Sequence, residues 1–191
     1  MIEKFQDKYR ISSSRLRNWD YSQDGIYFIT ICTACHECYL GKIKDKKMIL
    51  SEIGDLVQIE WEKSFVIRSE LICDHFVIMP NHLHAILRIK QRKVEYGNYA
   101  LNVDKTQLSN HERLSKSGVA YRSPKSISSF VAGFKSAVTV KAHTILVNFD
   151  WQARFHDHLI FNDREYYRIA NYILNNPANW GQDQFYKDEY L

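Results

Sequence analysis

The chain predicts an α+β fold, an antiparallel sheet with helices packed on it, and three observations carry that reading. Residues 26–33, IYFITICT, are β-branched and aromatic, the composition of a core strand. Residues 71–79 and 82–89 are two further β-rich runs separated only by Pro80 and Asn81, which predicts a tightly joined antiparallel pair. Ile127, Phe130, Val131, Phe134 and Val138 recur at helical spacing and form one apolar stripe.

Each element follows in order. To about residue 24 the chain is polar with aromatic punctuation and reads as an arm. After the strand at 26–33, a weaker strand is expected at 39–43, a turn at 45–47 and a short strand at 48–50. Ser51 and Glu52 open a helix in which Ile53, Leu56, Val57 and Trp61 share one face. Residues 91–122 are polar and charged without a sustained apolar period, so they read as a mobile insertion. Ser123 and Pro124 then start the helix that carries the stripe. A strand is expected over 154–160. Asp163 caps a last helix, which runs to Asn175 and stops at Pro177. Strand, strands, helix, two strands, helix, strand, helix is the order of a ferredoxin-like or RRM-like sheet. The expectation is one domain over residues 1–191, with an arm at 1–24 and the insertion at 91–122.

Composition bounds the function. Hydrophobic residues at 45% and charged residues at 25% supply a packed core and exclude wholesale disorder. A formal charge of +4 permits an anionic partner such as nucleic acid without demonstrating one. No apolar run approaches the ~20 residues of a membrane helix and no signal segment opens the chain, so cytoplasmic residence with reduced thiols is expected. Cys32, Cys35 and Cys38 with His36 have knuckle-like spacing. Cys32, however, falls inside the first strand and no second ligand pair lies near, so no zinc site is expected.

The chemistry concentrates in FVIMPNHLHAIL, residues 76–87. Alternation along a strand puts His82 and His84 on one face and Leu83 on the other. Two neutral imidazoles so placed can chelate one divalent ion, or they can be partnered core histidines. On the last helix, Glu165, Tyr172 and Asn176 fall together at one border of the stripe formed by Tyr166, Ile169, Ala170 and Ile173. That border lets a phenol lie along the sheet and offers an amide one turn on. A tyrosine that merely packs its ring and keeps its hydroxyl wet is the alternative. His156 and His158 also share a strand face, among Arg154, Asp157 and Asp163, and read as structural or DNA-contacting.

FVIMPNHLHAIL, WQARFHDHLI from Trp151 and NYILNNP from Asn171, with YRISSSRLRNWDYS and GIYFITICT before them, resemble the single-tyrosine HUH transposases. Within these, they are most similar to the REP-associated tyrosine transposases and related bacterial insertion-sequence transposases. The resemblance covers most of the chain outside 91–122. It implies that His82 and His84 bind Mg²⁺ or Mn²⁺, that Asn176 is a third, amide-type ligand, and that Tyr172 is the nucleophile. The implied reaction is cleavage and rejoining of single-stranded DNA, near a hairpin, through a 5′-phosphotyrosine that releases a 3′-hydroxyl. No general base is evident; Glu165 and His158 are candidates by sequence proximity alone. Monomer and homodimer both occur among such enzymes, and the chain does not choose.

For DNA contact, Arg10, Arg15 and Arg17 form the densest early basic cluster, interleaved with Tyr9, Trp19 and Tyr21. Lys125 and Lys135 lie along the helix after the insertion, and Trp151, Gln152 and Arg154 precede the last strand, Trp151 and Gln152 with a role in structure or in DNA contact. Two rival functions stand beside strand transfer: a nucleic-acid-binding module on the same fold without chemistry, and a metal-dependent phosphoesterase in which water attacks.

Overall fold

A computed structural model describes residues 21–90 and 123–187, preceded by two paired strands, β1 (Lys4–Phe5) and β2 (Lys8–Tyr9). The insertion at 91–122, most of the arm, and with it Arg10, Arg15 and Arg17, lie outside the described residues.

The main sheet has four antiparallel strands in the order β6–β7–β3–β8, formed by Leu71–Met79, His82–Ile89, Gly25–Cys32 and His156–Ile160. Between β3 and β6 run the hairpin β4 (Gly41–Lys44) and β5 (Lys47–Leu50), then α1 (Glu52–Ile67). After β7 come α2 (Ile127–Ala142), β8 and α3 (Asp163–Asn175), and a 3₁₀ stretch, Pro177–Gln182, is the last element among the described residues. Without the hairpin and α3 this is strand–helix–strand–strand–helix–strand with the first strand between the third and fourth, the ferredoxin-like arrangement.

Alternation assigns the two sheet faces. Tyr27, Ile29 and Ile31 on β3 and Leu83, Ala85, Leu87 and Ile89 on β7 point into the large core, with Ile53, Val57 and Trp61 of α1 and Phe130, Phe134 and Val138 of α2. The opposite face holds a smaller cluster: Ile86 of β7 and Ile160 of β8 against Ile169, Ala170 and Ile173 of α3, with Phe28 and Val77 at its edge. A fully buried Ile, Leu or Val among these contributes ~1.5–3 kcal/mol of transfer free energy, so the faces cannot exchange without losing both cores.

The boundaries differ in small ways from the sequence reading. Ser126, not Ser123 or Pro124, caps α2, its hydroxyl accepting from Ser129 N. Asn162, not Asp163, caps α3, its side chain accepting from Glu165 N at 2.9 Å. Both caps are short polar side chains in extended backbone one step before the first helical residue, and sequence alone ranks neighbouring candidates almost equally. Ser51 caps α1, as the sequence predicts.

The β6–β7 connection has a physical peculiarity. Met79 pairs with His82, so the loop is Pro80 and Asn81 alone. Proline cannot adopt the positive φ that primed hairpin turns need at that position. Neighbouring chain holds the turn instead: Thr33 N and Oγ1 both donate to Asn81 O, and Leu40 N donates to Pro80 O. That anchoring fixes the end of β7 where the two histidines begin.

Candidate active site

His82 and His84 lie on the α3 face of β7 and are 0% and 1% exposed. Burial pushes His82 down to about 3, with His36 adding to the effect, and holds His84 well below the usual histidine range, with His82 as the next cause. Both rings are therefore neutral at pH 7, the form that binds metal.

Hydrogen bonds decide the His82 tautomer. Asn81 Nδ2 donates to the carbonyls of His36 at 3.0 Å and Phe185 at 2.8 Å, which leaves Asn81 Oδ1 as an acceptor. His82 Nδ1 lies 2.9 Å from that oxygen and must donate to it. His82 Nε2 then carries a lone pair, and it is buried without a partner. His84 Nδ1 meets Thr30 Oγ1 at 2.8 Å, across the register pair Thr30–His84, and its Nε2 faces Tyr172 Oη at 3.0 Å.

From α3 and its extension come three more groups. Tyr172 is 40% exposed at the helix border, and its ring lies 5.1 Å from that of His84 and 6.4 Å from that of Phe28. Asn176 is the buried C-cap of α3. Its Nδ2 donates to Asp183 Oδ2 at 3.0 Å, while its Oδ1 is buried without a partner. Asp183, just past the 3₁₀ stretch, accepts from Tyr172 Oη at 3.2 Å and, through Oδ1, from Phe185 N at 2.7 Å. Burial first, then the charge of Asp183, raises the Tyr172 phenol to about 12.

Ligand atoms of His82, His84 and Asp183 lie within 4.8 Å of one another, the one such group of histidine, cysteine or carboxylate side chains among the described residues. The donor set suits a divalent cation: two neutral imidazole nitrogens, a carboxylate and an amide oxygen. Two of those acceptors, His82 Nε2 and Asn176 Oδ1, have no donor to meet them, and a buried unmet acceptor costs ~1–3 kcal/mol. A cation removes that cost, so the residues fit the group.

The structure thus brings His82, His84, Tyr172 and Asn176 together. Asp183 is the residue that sequence reasoning missed. Its signal was an acidic side chain six residues beyond Pro177, in a segment to which the sequence reading assigned no element. Glu165 and His158 bond to each other at 2.7 Å, on β8 and the first turn of α3, and Asp183 is the carboxylate on the phenol. His156 and His158 form no such cluster, and neither do the four cysteines, all free thiols.

The other basic and aromatic candidates gather elsewhere. Lys125 is exposed ahead of α2, in left-handed backbone with φ +56°. The Lys135 ammonium donates to the carbonyls of Gln152 at 2.7 Å and Arg154 at 2.5 Å, and burial lowers it to about 8. Trp151 is 6% exposed in the large core. Gln152 and Arg154 are exposed.

No family model matches the chain. It is 37% identical over 177 residues to an uncharacterized protein of Haemophilus influenzae, covering 92% of this chain and 93% of that one. A solved REP-associated tyrosine transposase, bound to a REP hairpin, superposes with a TM-score of 0.54 at 17% identity, over 91% of this chain and 77% of the other. No helix among the described residues is long and apolar enough to cross a membrane. The chain belongs to the family of the Haemophilus influenzae protein, and the sheet and helix that carry its paired histidines and tyrosine have the fold of a REP-associated tyrosine transposase.

Proposed function

We propose that the chain is a DNA strand transferase that cuts and rejoins single-stranded DNA, near a hairpin, through a covalent bond from Tyr172 to the 5′-phosphate. The observation that carries this reading is the phenol oxygen 3.0 Å from His84 Nε2 and 3.2 Å from Asp183 Oδ2, at the edge of a cluster whose donor set suits a divalent cation. His82, His84 and Asp183, with Asn176, would hold Mg²⁺ or Mn²⁺. When bound, that ion supplies positive charge to the scissile phosphate and to the ionising phenol. The hairpin held by the transposase of like fold supports the choice of DNA.

Tyr172 oxygen attacks phosphorus, the bond to the 3′-oxygen of the upstream nucleotide breaks, and that strand leaves with a 3′-hydroxyl. Two acceptors lie within reach of the phenolic proton, His84 Nε2 at 3.0 Å and Asp183 Oδ2 at 3.2 Å, and its delivery to the departing 3′-oxygen completes the hydroxyl. Reversal by an incoming 3′-hydroxyl conserves the bond, so no energy source is consumed. At about 12 the phenol of the protein alone resists ionisation, and a neighbouring positive charge reverses that bias.

The test is an adduct assay with Mn²⁺ and single-stranded DNA recovered by binding selection. The expected product is a denaturant-resistant protein–DNA species that Tyr172→Phe abolishes and a chelator prevents. Binding with no adduct favours a module without chemistry. Cleavage retained in Tyr172→Phe but lost in His84→Ala makes water the nucleophile.

A further inference from the structure

On the face of the sheet that holds the paired histidines, α3 packs over β6 and β7. Alternation puts Phe28 and Thr30 of β3, and His156 and His158 of β8, on that same face. They lie beyond the helix border that carries Glu165 and Tyr172, and β8 joins the cluster under the helix at Ile160. His156 is exposed, Phe28 is half-buried, and β8 is an edge of the sheet.

This strip adjoins the reacting groups. The Phe28 ring centroid lies 5.2 Å from that of His84, 6.4 Å from that of Tyr172 and 6.4 Å from that of His156. His84 and His156 are the two cross-strand partners of Thr30, one on each side. His156 therefore stands two strands from a metal ligand on one face, about 10 Å at sheet spacing. It is close enough to act electrostatically on His84. A phosphate in front of Tyr172 has the Phe28 ring beside it and the His156 ring one step further out.

The chemistry of that corner suits a base. Two flat rings meet there at 69°, the outer one exposed at the sheet edge. Aromatic faces take an unpaired base by stacking, with little regard to its identity. A cation comes from α3: Arg168 lies one turn before Tyr172 on the border side, its side chain 71% exposed and 3.9 Å from Glu165. A guanidinium there can meet the backbone phosphate next to the one attacked. Glu165 marks the far end, two turns or about 10 Å from Tyr172, its oxygens held by His158 at 2.7 Å and Phe161 N at 3.2 Å. Its carboxylate turns away a further phosphate, so the strip has room for one nucleotide.

We infer that the corner between Phe28 and His156 stacks one unpaired base of the bound strand, on a nucleotide flanking the phosphate that Tyr172 attacks, and that Arg168 holds the backbone of that nucleotide. This rests on the strand-transferase reading and assigns the path of the strand across β3 and β8.

The test scans 2-aminopurine, whose fluorescence falls on stacking, through single-stranded DNA recovered by binding selection, with full-length protein and Mn²⁺. The expected result is quenching at one position, next to the bond that the adduct maps as cut. His156→Ala should restore that fluorescence and slow adduct formation about tenfold, the scale of one stacked base. His156→Phe, which keeps a ring at the sheet edge, should retain both the quenching and the rate. Mn²⁺ affinity should be equal in all three proteins, and a loss in His156→Ala would trace the effect to the metal site and overturn the corner. Arg168→Gln should weaken binding and reduce its salt slope by about one, and an unchanged slope removes Arg168 from the strand's path. An adduct with no probe position that responds to His156→Ala, or a response away from the cut, sinks the corner alone. His156→Phe behaving as His156→Ala overturns stacking as the task of this ring. A probe that responds to His156→Ala without an adduct on any DNA sinks the transferase reading and leaves the corner as a base-binding surface.

Discussion

Asn81 has one side chain and three tasks: it accepts from His82 Nδ1 and donates to the carbonyls of His36 and Phe185. Removing such an orienting partner typically costs 10–100-fold in metal affinity. Asn81→Ala should weaken Mn²⁺ binding by about that factor in calorimetry, and Asn81→Asp, which keeps an acceptor beside His82, should lose less. Equal affinity in all three proteins would show that the tautomer is set elsewhere. Asp183 acts on both halves of the site. Asp183→Asn should weaken Mn²⁺ binding and, in the metal-free protein, bring the Tyr172 phenol down from about 12 while burial keeps it above an ordinary tyrosine. ¹³C-tyrosine titration followed by NMR reads that shift, and an upward or absent change contradicts the assigned cause.

The helix α3 works by having two borders. Ile169, Ala170 and Ile173 bury against Ile86 and Ile160, which fixes the rotation of the helix on the sheet. Given that rotation, residues 165, 172 and 176 emerge together on one side, and Tyr172 reaches His84 as a consequence of packing. Ile173 is fully buried, so Ile173→Ala should cost ~2–5 kcal/mol in urea unfolding. It should also slow adduct formation beyond any loss of folded protein, because the phenol loses its support. The N-cap gives a cleaner check on the helix start. Asn162→Ala should cost ~1 kcal/mol, whereas Asp163→Ala, one residue later, should cost less. The reverse order would move the cap back to Asp163, where the sequence places it.

For the molecule as a whole, the buried imidazoles make stability depend on pH. In the unfolded chain each histidine takes up a proton near 6.5; folded, His82 does so only at about 3 and His84 well below its usual range. The unfolded state then binds more protons, so stability is complete above about pH 6.5 and falls as pH drops toward 3, by up to ~1.4 kcal/mol per unit per ring. Urea midpoints measured from pH 7.5 to 4.5 should decline, and the double variant His82→Gln, His84→Gln should flatten the decline. Saturating Mn²⁺ at 100 times its dissociation constant should add ~2.7 kcal/mol near neutral pH and progressively less in acid, as protons compete for the same nitrogens.

Local pattern settled much of this protein. Period-2 and period-3.6 spacing placed β3, β6, β7, α1, α2 and α3 within a few residues, because the burial of one face fixes both the element and its phase. The same alternation put His82 and His84 on a common face, and helical phase put Tyr172 with Asn176, while the resemblance to the single-tyrosine HUH transposases joined the two pairs into one expected site. Asp183, Asn81, Thr30 and the closing of the 150–154 loop on Lys135 were not. Those side chains become partners across 11 to 54 residues of sequence only after the sheet order and the rotation of α3 are set, and no spacing rule encodes a contact that depends on how two faces meet.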